Sequence, residues 1–240
     1  MTQPNKKLSI IVPVYNEAQT LRPALERLFS VELPLSLDVV VVDDGSTDDG
    51  LASIQDLVDS GSVRVLEHRT NKGKGAAIRT GIAAAKGDLL TILDADLEYD
   101  PRNLGELVIP LLESRAEVVY GTRSFGSHTA YSFWYVVGNR VLSFWASFLF
   151  NAWLSDIETC FKVAPLRVWK GLRLKRDGFG IEAEVTAKIL RSDRRIYEIP
   201  IRYTARTREE GKKLNSWDGI EALWILFVER FKARRRIPDG

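Results

Sequence analysis

The first half of the chain alternates short apolar runs with stretches of helical periodicity. The runs are rich in Val, Ile and Leu, as is typical of strands covered on both faces, and lie at residues 8–14, 38–42, 63–66 and 89–93. Between them, Leu21, Leu25 and Leu28 recur at helical spacing, and the Ala-rich stretch 76–86 stops at Gly87. This order predicts an α/β fold with a single, mostly parallel sheet flanked by helices.

The second half is more aromatic. Residues 131–154 are crowded with Trp, Phe and Val, but Arg140 divides them into pieces shorter than the roughly 18 charge-free residues of a membrane span. We therefore expect a pair of interfacial amphipathic helices here, the alternative being core helices packed on the sheet. Residues 180–191 predict another helix and residues 197–203 a late strand.

A further apolar stretch, residues 217–231, precedes a group of cations, Lys232, Arg234, Arg235 and Arg236. Apolar bulk beside clustered cations suits an anionic membrane leaflet. Packing against the sheet is again the alternative.

Carboxylates follow the predicted strands at the edge where a parallel sheet binds its ligands. Asp94 and Asp96 flank a small residue after the fourth run, and Glu98 is two residues further on. Hard oxygen ligands of this kind suit Mg²⁺ or Mn²⁺ carrying a diphosphate. We predict a metal site at these three residues, and a solvated acidic turn is the competing interpretation.

Two other turns at this edge carry polar groups. Asp43, Asp44 and Gly45 follow the second run, where an Asp can accept hydrogen bonds from a nucleobase or ribose. Ser46 or Thr47 followed by two acidic residues is also typical of a helix N-terminus. Residues 71–75 place Lys74 among glycines before a helix, which offers N–H groups and positive charge to a phosphate.

Composition and charge limit which binding partners and which cellular compartment we expect. A net charge of +2 is too small to indicate nucleic acid. One cysteine, Cys160, forms no internal disulfide, and the polar N-terminus lacks the apolar core of a signal peptide. We expect a cytoplasmic protein in which Cys160 packs in the core and both histidines, His68 and His128, are structural or surface residues.

Taken together, residues 13–17, 43–46, 71–75 and 94–96 resemble the motifs of the family 2 glycosyltransferases of the GT-A fold, specifically the dolichyl- and polyprenyl-phosphate mannose and glucose synthases. The resemblance covers residues 8–217. It implies one Rossmann-like GT-A domain over residues 1–240, with a nucleotide-sugar-binding half (1–125) and an acceptor-binding, membrane-associating half (126–240). It also implies GDP-mannose or UDP-glucose as donor, a polyprenyl or dolichyl phosphate as acceptor, and Mg²⁺ or Mn²⁺ as cofactor.

By the same resemblance, Pro13, Tyr15 and Glu17 hold the nucleoside and Asp44 contacts the base. The family often has Gln where this chain has Glu98. The expected nucleotide site consists of eight residues: Pro13, Tyr15, Glu17, Asp43, Asp44, Gly45, Lys74 and Asp94.

The acceptor residues come from the second half of the resemblance. Arg123, in Tyr120-Gly121-Thr122-Arg123, is expected to face the acceptor phosphate, to which a planar guanidinium is suited. Arg206 and the pair Lys212 and Lys213 are similar to the mobile basic loop that closes over the substrates. We expect catalysis from Asp96, Arg123 and Arg206, and further acceptor contacts from the polar residues of the 131–154 stretch, Asn139, Arg140 and Ser143.

An ionised lipid phosphate needs no strong general base, which favours direct, inverting attack on the anomeric carbon. If the acceptor were a sugar hydroxyl, as in polysaccharide or glycolipid synthesis, a base would be required, and Asp156 or Glu182 would be the candidates. Asp156 begins an element, residues 156–162, that matches the family except that Cys160 replaces the usual Gly.

Two other classes of protein are alternatives to a glycosyltransferase. A nucleotidyltransferase also pairs carboxylates on a metal, but its Gly-rich signature is not found after the first strand. A non-catalytic sugar-nucleotide-binding module would regulate a membrane partner. Since the hydrophobic C-terminal spans of some family members are lacking, we expect peripheral attachment to the cytoplasmic face of a membrane, or a membrane partner protein.

Overall fold

A computed structural model describes residues 6–124, 133–205, 216–233 and 237. Its strands are Lys7–Val14 (β1), Ser36–Asp43 (β2), Val63–Glu67 (β3), Leu89–Ile92 (β4), Val118–Thr122 (β5), Lys162–Pro165 (β6) and Ile196–Pro200 (β7). Its helices are Leu21–Phe29 (α1), Gln55–Asp59 (α2), Lys74–Ala84 (α3), Asn103–Leu112 (α4), Phe133–Phe150 (α5), Leu166–Leu172 (α6), Ile181–Arg191 (α7) and Ser216–Phe231 (α8), with a 3-10 turn at Leu51–Ile54.

Within these residues the strands form one seven-stranded sheet in the order β3-β2-β1-β4-β6-β5-β7. β1 pairs in parallel with β2 and β4, β2 with β3, and β5 with β7. The short strand β6 lies antiparallel between β4 and β5. The predicted α/β class and mostly parallel sheet are confirmed, and the carboxyl ends of β1, β2, β4 and β5 share one edge.

The central strands are buried on both faces. Neighbouring residues of a strand point to opposite sides of the sheet, yet Ile10 and Ile11 of β1 and Val40 and Val41 of β2 are all fully buried. Helices covering both sides explain why these strands have continuous apolar runs rather than alternating ones.

A second, smaller core joins α5, α7 and α8. Leu142, Ala146, Ala183, Ile225 and Leu226 pack together in it. The expected pair of helices in residues 131–154 is wrong, because α5 continues without a break through Arg140. That side chain is exposed, so its charge stays in water and does not interrupt the helix. In the part of the chain that the structure describes, no helix is both long and apolar enough to cross a bilayer.

Candidate active site

The acidic turn after β4 lines a cavity of about 300 Å³ at the carboxyl edge of the sheet. Asp94, Asp96 and Glu98 all contribute to its wall. Leu97 takes a left-handed backbone conformation, with φ of 65°, which turns the chain between the last two carboxylates. Burial, together with the charges of Asp94 and Glu98, raises the pKa of Asp96 to about 7.

Lys74, the first residue of α3, connects this turn to the other side of the cavity. Its Nζ lies 2.8 Å from Asp94 Oδ2 and 3.6 Å from Glu182 Oε1. Burial would lower the pKa of this ammonium group, but the two carboxylates outweigh it and hold the pKa well above its usual value. Lys74 is therefore a fixed positive charge inside the cavity.

Asp44, just after β2, lines the cavity and also organises the loop at residues 71–75. Its Oδ1 lies 2.6 Å from His68 Nδ1 and accepts a hydrogen bond from the Lys72 N–H, while Oδ2 accepts one from the Gly73 N–H at 2.7 Å. His68 also contacts Thr80, and its side chain is only 7% exposed, in line with the structural one of its two predicted roles.

Asp43 and Gly45 shape the turn beside Asp44. Both oxygens of Asp43 accept hydrogen bonds from Ser46, one from its N–H and one from its hydroxyl. Gly45 has a φ of 75°, and a Cβ there would lie 2.7 Å from the Thr70 carbonyl carbon. Neither residue is among those that line the cavity.

The capping interpretation of Ser46 and Thr47 is wrong. The following 3-10 turn begins only at Leu51, and no side chain caps it. Ser46 instead accepts a hydrogen bond from the Asn16 N–H, and Thr47 donates one to Asn16 Oδ1. These bonds fix the turn after β1 against the turn after β2.

The turn after β1 brings Pro13, Tyr15 and Glu17 to the cavity wall. Asn16 between them has a φ of 54°, which turns the chain sharply at the strand end. Glu17 is oriented by a hydrogen bond of 2.8 Å from the Thr20 hydroxyl. The three residues expected at the nucleoside thus share one wall.

Arg123, just after β5, faces the cavity from the opposite side. Its Nε and Nη2 donate to Asp156 Oδ2 and Oδ1 at 2.7 and 2.8 Å, and Asn139 of α5 donates to the same carboxylate at 2.9 Å. Burial would raise the pKa of Asp156, but the Arg123 charge and hydrogen bonds lower it. The guanidinium also lies 5.1 Å from the centre of the Tyr203 ring.

The other residues expected at the acceptor have different surroundings. Ser143 is buried and its hydroxyl accepts a hydrogen bond from the Ile157 N–H at 3.2 Å. Arg140 is exposed on α5. Arg206, Lys212 and Lys213 lie outside the described residues, as do His128 and Arg234 to Arg236.

Sequence reasoning missed a second acidic group in the cavity. Glu158 lines it and was not singled out, and Glu182 was considered only as an alternative base. Glu182 forms an ion pair with Lys162, which is fully buried, and Lys162 Nζ also donates to the Thr159 carbonyl. No local pattern indicates this pairing, because the two partners are 20 residues apart in the sequence.

Cys160 is buried next to this group, with its Sγ 3.3 Å from the Ile92 carbonyl oxygen. Burial raises the pKa of its thiol well above the usual value, so the thiolate nucleophile is suppressed. The packing interpretation of Cys160 is confirmed.

The acidic turn fits a divalent cation that is shared with a ligand. Within the described residues no three His, Cys, Asp or Glu side chains converge as a complete metal site. Mg²⁺ is usually bound by one or two carboxylates together with substrate phosphates, and the crowded pair Asp94 and Asp96 offers such oxygens. Glu98, the third residue of the predicted metal site, does not converge with these two, and its Oε2 accepts a hydrogen bond from the Tyr203 hydroxyl.

The sequence of this site matches a known family. The model described as glycosyl transferase family 2 matches residues 9–162, which is more than half of the 240 residues. The chain belongs to glycosyl transferase family 2. The family inferred from the strand-end motifs is therefore confirmed, and the nucleotidyltransferase alternative is wrong.

Curated relatives of this family 2 chain include three lipid-phosphate sugar transferases. The chain is 28% identical over 221 residues to a dolichol-phosphate mannosyltransferase of Pyrococcus furiosus, covering 86% of this chain and 59% of that protein. It is 34% identical over 121 residues to a dodecaprenyl-phosphate galacturonate synthase of Rhizobium johnstonii, covering 49% of this chain and 36% of the relative. It is 38% identical over 136 residues to an undecaprenyl-phosphate 4-deoxy-4-formamido-L-arabinose transferase of Pseudomonas syringae, covering 55% and 40%. The family 2 chain thus spans between about a third and three fifths of the length of these relatives.

Among solved structures, the fold is similar to glucosyl-3-phosphoglycerate synthase from Mycobacterium tuberculosis in complex with Mn²⁺, UDP and glucosyl-3-phosphoglycerate. The TM-score is 0.72 at 20% identity, covering 100% of this chain and 83% of the other. A second structure of that protein, with Mg²⁺ and UDP, has a TM-score of 0.70 at 18% identity, covering 100% and 83%. At this identity the likeness supports the GT-A fold of the family 2 chain and nothing finer.

Proposed function

We propose that this chain is a metal-dependent, inverting glycosyltransferase that moves a hexose from a nucleotide sugar, GDP-mannose or UDP-glucose, to a polyprenyl or dolichyl phosphate. One observation carries the proposal: a single cavity has the carboxylates of Asp94 and Asp96 on one wall and the guanidinium of Arg123 on another. The first wall suits a cation with a diphosphate, and the second suits a phosphate monoester. The three curated relatives described above are named for transfer to lipid phosphates.

The environment of Arg123 supports a phosphate acceptor. A phosphate is already ionised at neutral pH and can attack the anomeric carbon without a base. Asp156, one of the two residues considered as a base, is fully buried and bound by Arg123 and Asn139, so its protonation is disfavoured. The other, Glu182, is neutralised by Lys162. Asp156 is better suited to orienting Arg123 than to accepting a proton.

We propose that the donor binds at the wall formed by the acidic turn, opposite Arg123. Asp94 and Asp96 would hold Mg²⁺ or Mn²⁺, whose contribution is to neutralise negative charge on the departing diphosphate. Lys74, held between Asp94 and Glu182, adds a fixed positive charge for the same oxygens. Pro13, Tyr15, Glu17 and Asp44 would hold the nucleoside, as expected from the family motifs.

An exposed aromatic surface suits a membrane-bound acceptor. We define the aromatic face as the exposed large apolar side chains of α5, α8 and the segment after α5: Phe133, Trp134, Val141, Phe144, Phe148, Trp153, Trp217, Ile220, Trp224, Phe227 and Phe231. Exposed apolar residues in such numbers indicate a surface that is covered by a partner or a membrane. Asn139, on the same helix, reaches Asp156 beside the cavity. We propose peripheral docking on a membrane through this face, which would bring the lipid phosphate to Arg123.

A donor screen tests the proposed function. The native protein and Asp96→Asn would be incubated with radiolabelled GDP-mannose or UDP-glucose, Mg²⁺ or Mn²⁺, and a short polyprenyl phosphate. We expect one donor to give a mild-acid-labile glycolipid with the native protein, and at least about a 100-fold lower rate with the variant, as expected for loss of an electrostatic contact at the reacting centre.

Asp49→Asn is the matched control, because Asp49 is exposed and outside the cavity. It should retain the native rate. Faster transfer to an unphosphorylated sugar than to the lipid phosphate would overturn the proposed acceptor, and equal rates for Asp96→Asn and Asp49→Asn would overturn the proposed role of the acidic turn.

A further inference from the structure

Glu158 differs from the other carboxylates of the cavity. It lies between Asp156 and Cys160 in the segment that connects α5 to β6, and its side chain lines the cavity. Its Oε1 is buried but accepts no hydrogen bond from the described residues. A buried acceptor without a donor is costly, and in a cleft it is a group that a ligand can satisfy.

The neighbouring acids are already engaged in the part of the chain that the structure describes. Asp94 accepts from Lys74, Glu98 from Tyr203, and Glu17 from Thr20. Asp44 accepts from two backbone N–H groups and Glu182 from Lys162. Oε1 of Glu182 also lacks a hydrogen bond, but Glu182 forms ion pairs with Lys162 and Lys74, whereas no ion pair within the described residues involves Glu158.

The charges around Glu158 leave its carboxylate poorly compensated. Lys162 and Arg123 favour its ionised form, but Lys162 is bound to Glu182 and Arg123 to Asp156. Burial, the largest effect, and the charge of Glu182 prevail and raise the pKa of Glu158 to about 7. A ligand group that donates a hydrogen bond would be favoured here, whereas a second anion would be repelled.

We propose that Glu158 is a specificity-determining residue that accepts a hydrogen bond from a hydroxyl group of the donor sugar and selects against sugars that carry a carboxylate. This inference rests on the proposed function, since it assumes that the cavity holds a nucleotide sugar. A diphosphate oxygen is the less suitable partner for Glu158, because it offers no hydrogen-bond donor and adds negative charge beside the carboxylate. A sugar hydroxyl supplies the missing donor without adding charge.

The geometry of the cavity supports the sugar over the nucleoside as the ligand of Glu158. The residues expected at the nucleoside follow β1 and β2, whereas Glu158 precedes β6, which lies on the other side of β4. Arg123 and Tyr203 line the cavity with Glu158. The group next to Glu158 is therefore the one that lies between the diphosphate and the acceptor phosphate, which in a nucleotide sugar is the hexose.

Binding measurements test this without any acceptor. Isothermal titration in Mn²⁺ would compare Glu158→Ala with the native protein for UDP, GDP, UDP-glucose and GDP-mannose. We expect the variant to bind the nucleoside diphosphates with unchanged affinity and to bind the preferred nucleotide sugar about 10-fold more weakly, as is typical for loss of a hydrogen bond to a charged group. Glu106→Ala is the matched control, since Glu106 is exposed on α4 and should bind all four ligands normally.

A second binding experiment compares neutral nucleotide sugars with those that carry a carboxylate. The native protein should favour UDP-glucose over UDP-glucuronate, and UDP-galactose over UDP-galacturonate, in binding. Glu158→Gln removes the charge at constant size, so each preference should fall by about 10-fold, while Glu106→Gln should leave both preferences unchanged.

Three results would overturn the proposal. Equal weakening of nucleoside diphosphates and nucleotide sugars by Glu158→Ala would mean that Glu158 only supports the fold. Unchanged uronate discrimination in Glu158→Gln would mean that its charge does not face the sugar. Unchanged donor binding with at least a 100-fold loss of turnover in Glu158→Gln would make it a general base. If donor binding behaves as expected but no lipid product forms, the proposed acceptor fails and the role of Glu158 stands.

Discussion

At the scale of single residues, the arrangement depends on how Arg123 is held. Its side chain is largely buried but lines the cavity, while its partner Asp156 is fully buried and forms no other ion pair within the described residues. Two parallel hydrogen bonds fix the plane of the guanidinium, and Asn139 fixes the carboxylate in turn. The residue that we propose to face the acceptor is thus oriented by a fully buried carboxylate.

Asp156→Asn should therefore lower both stability and transfer. The substitution preserves size but leaves the buried Arg123 charge uncompensated, which we expect to cost about 3 kcal/mol of unfolding free energy. Urea denaturation measures this, with Asp49→Asn as a control expected to change by less than about 0.5 kcal/mol. A loss in Asp156→Asn no larger than in the control would contradict the account of Arg123.

Glu158 makes a prediction about stability and pH. Because its pKa is raised from 4.5 to about 7 in the folded protein, the native state keeps a proton that the unfolded chain releases, and stability falls as pH rises through this interval. Glu158→Gln removes that dependence. We expect the variant to match the native protein near pH 4 and to be more stable by up to about 3 kcal/mol at pH 8.

Denaturation curves of the two proteins, recorded from pH 4 to pH 8, measure this difference. Asp96, whose pKa is raised in the same direction, remains in both proteins and its effect therefore cancels. A constant difference across the pH range would contradict the raised pKa of Glu158.

Strand position predicted Asp94 and Asp96 at the cavity, and the family resemblance predicted Arg123, but neither predicted Glu158. Asp94 and Asp96 were recognisable because they directly follow an apolar run, and strand ends converge in a parallel sheet. Glu158 carries no such signal, since it lies in an irregular segment. Its carboxylate is left without an ion-pair partner because Lys162 pairs with Glu182, a contact between residues 20 positions apart in the sequence.

At the scale of elements, the loop at residues 71–75 is held between two other parts of the protein. Asp44 binds its N–H groups from one side, and the Asp177 carbonyl accepts hydrogen bonds from the Gly75 and Ala76 N–H groups on the other. Gly73 has a φ of 97°, and a Cβ there would lie 2.4 Å from the Asp177 oxygen. The loop can take this path only with glycine at that position.

Gly73→Ala should consequently destabilise the protein by about 2 kcal/mol, from backbone strain and the clash with Asp177. Thermal denaturation measures the change. Gly105→Ala is the matched control, because Gly105 lies in α4 and a Cβ there would lie 3.9 Å from Leu33 Cδ2, an ordinary contact distance. The control should be stabilised by about 0.5–1 kcal/mol, and the same sign in both variants would contradict the close packing of the loop.

The proposed docking through the aromatic face predicts that the protein binds to membranes. Phe148→Ser with Trp224→Ser removes two exposed aromatic side chains, each of which contributes about 1.5–3 kcal/mol when fully buried. We expect roughly 100-fold weaker partitioning to anionic phospholipid vesicles, measured by co-sedimentation. Transfer to a short, water-soluble polyprenyl phosphate should be largely retained.

Phe29→Ser controls for the loss of an exposed aromatic residue elsewhere, since Phe29 lies on α1 and is 38% exposed. Vesicle binding of this control should equal that of the native protein. Similar losses in the control and the double variant, or no loss in either, would contradict docking through the aromatic face.

Elements defined by local patterns were predictable, and those defined by distant partners were not. The strands β1 to β4 are rich in Val, Ile and Leu, so their positions followed from the apolar pattern along the chain. β6 has four residues, one of them the buried Lys162, and exists because it fits between β4 and β5. The sequence pattern does not predict the single helix α5, because a charge in an apolar stretch resembles an interruption, whereas the Arg140 side chain is exposed to water.

At the scale of the whole molecule, the sheet brings two kinds of chemistry to one edge. Strand ends from the first half of the chain supply carboxylates, and β5 with the segment before β6 supplies Arg123, Asp156 and Glu158. The second core, formed by α5, α7 and α8, supports that segment from behind through Asn139 and Ser143. We propose that the aromatic face, on α5, α8 and the segment after α5, brings the lipid phosphate to this edge.

The most direct test of this account is the position of the cation. A crystal soaked with Mn²⁺ and the preferred nucleotide sugar would be measured at the manganese absorption edge. The account predicts an anomalous peak about 2.0–2.2 Å from carboxylate oxygens of Asp94 or Asp96. The cation at this peak should also contact the diphosphate, and the hexose should lie next to Glu158. A peak elsewhere in the cavity, or a diphosphate bound without contact to either aspartate, would contradict it.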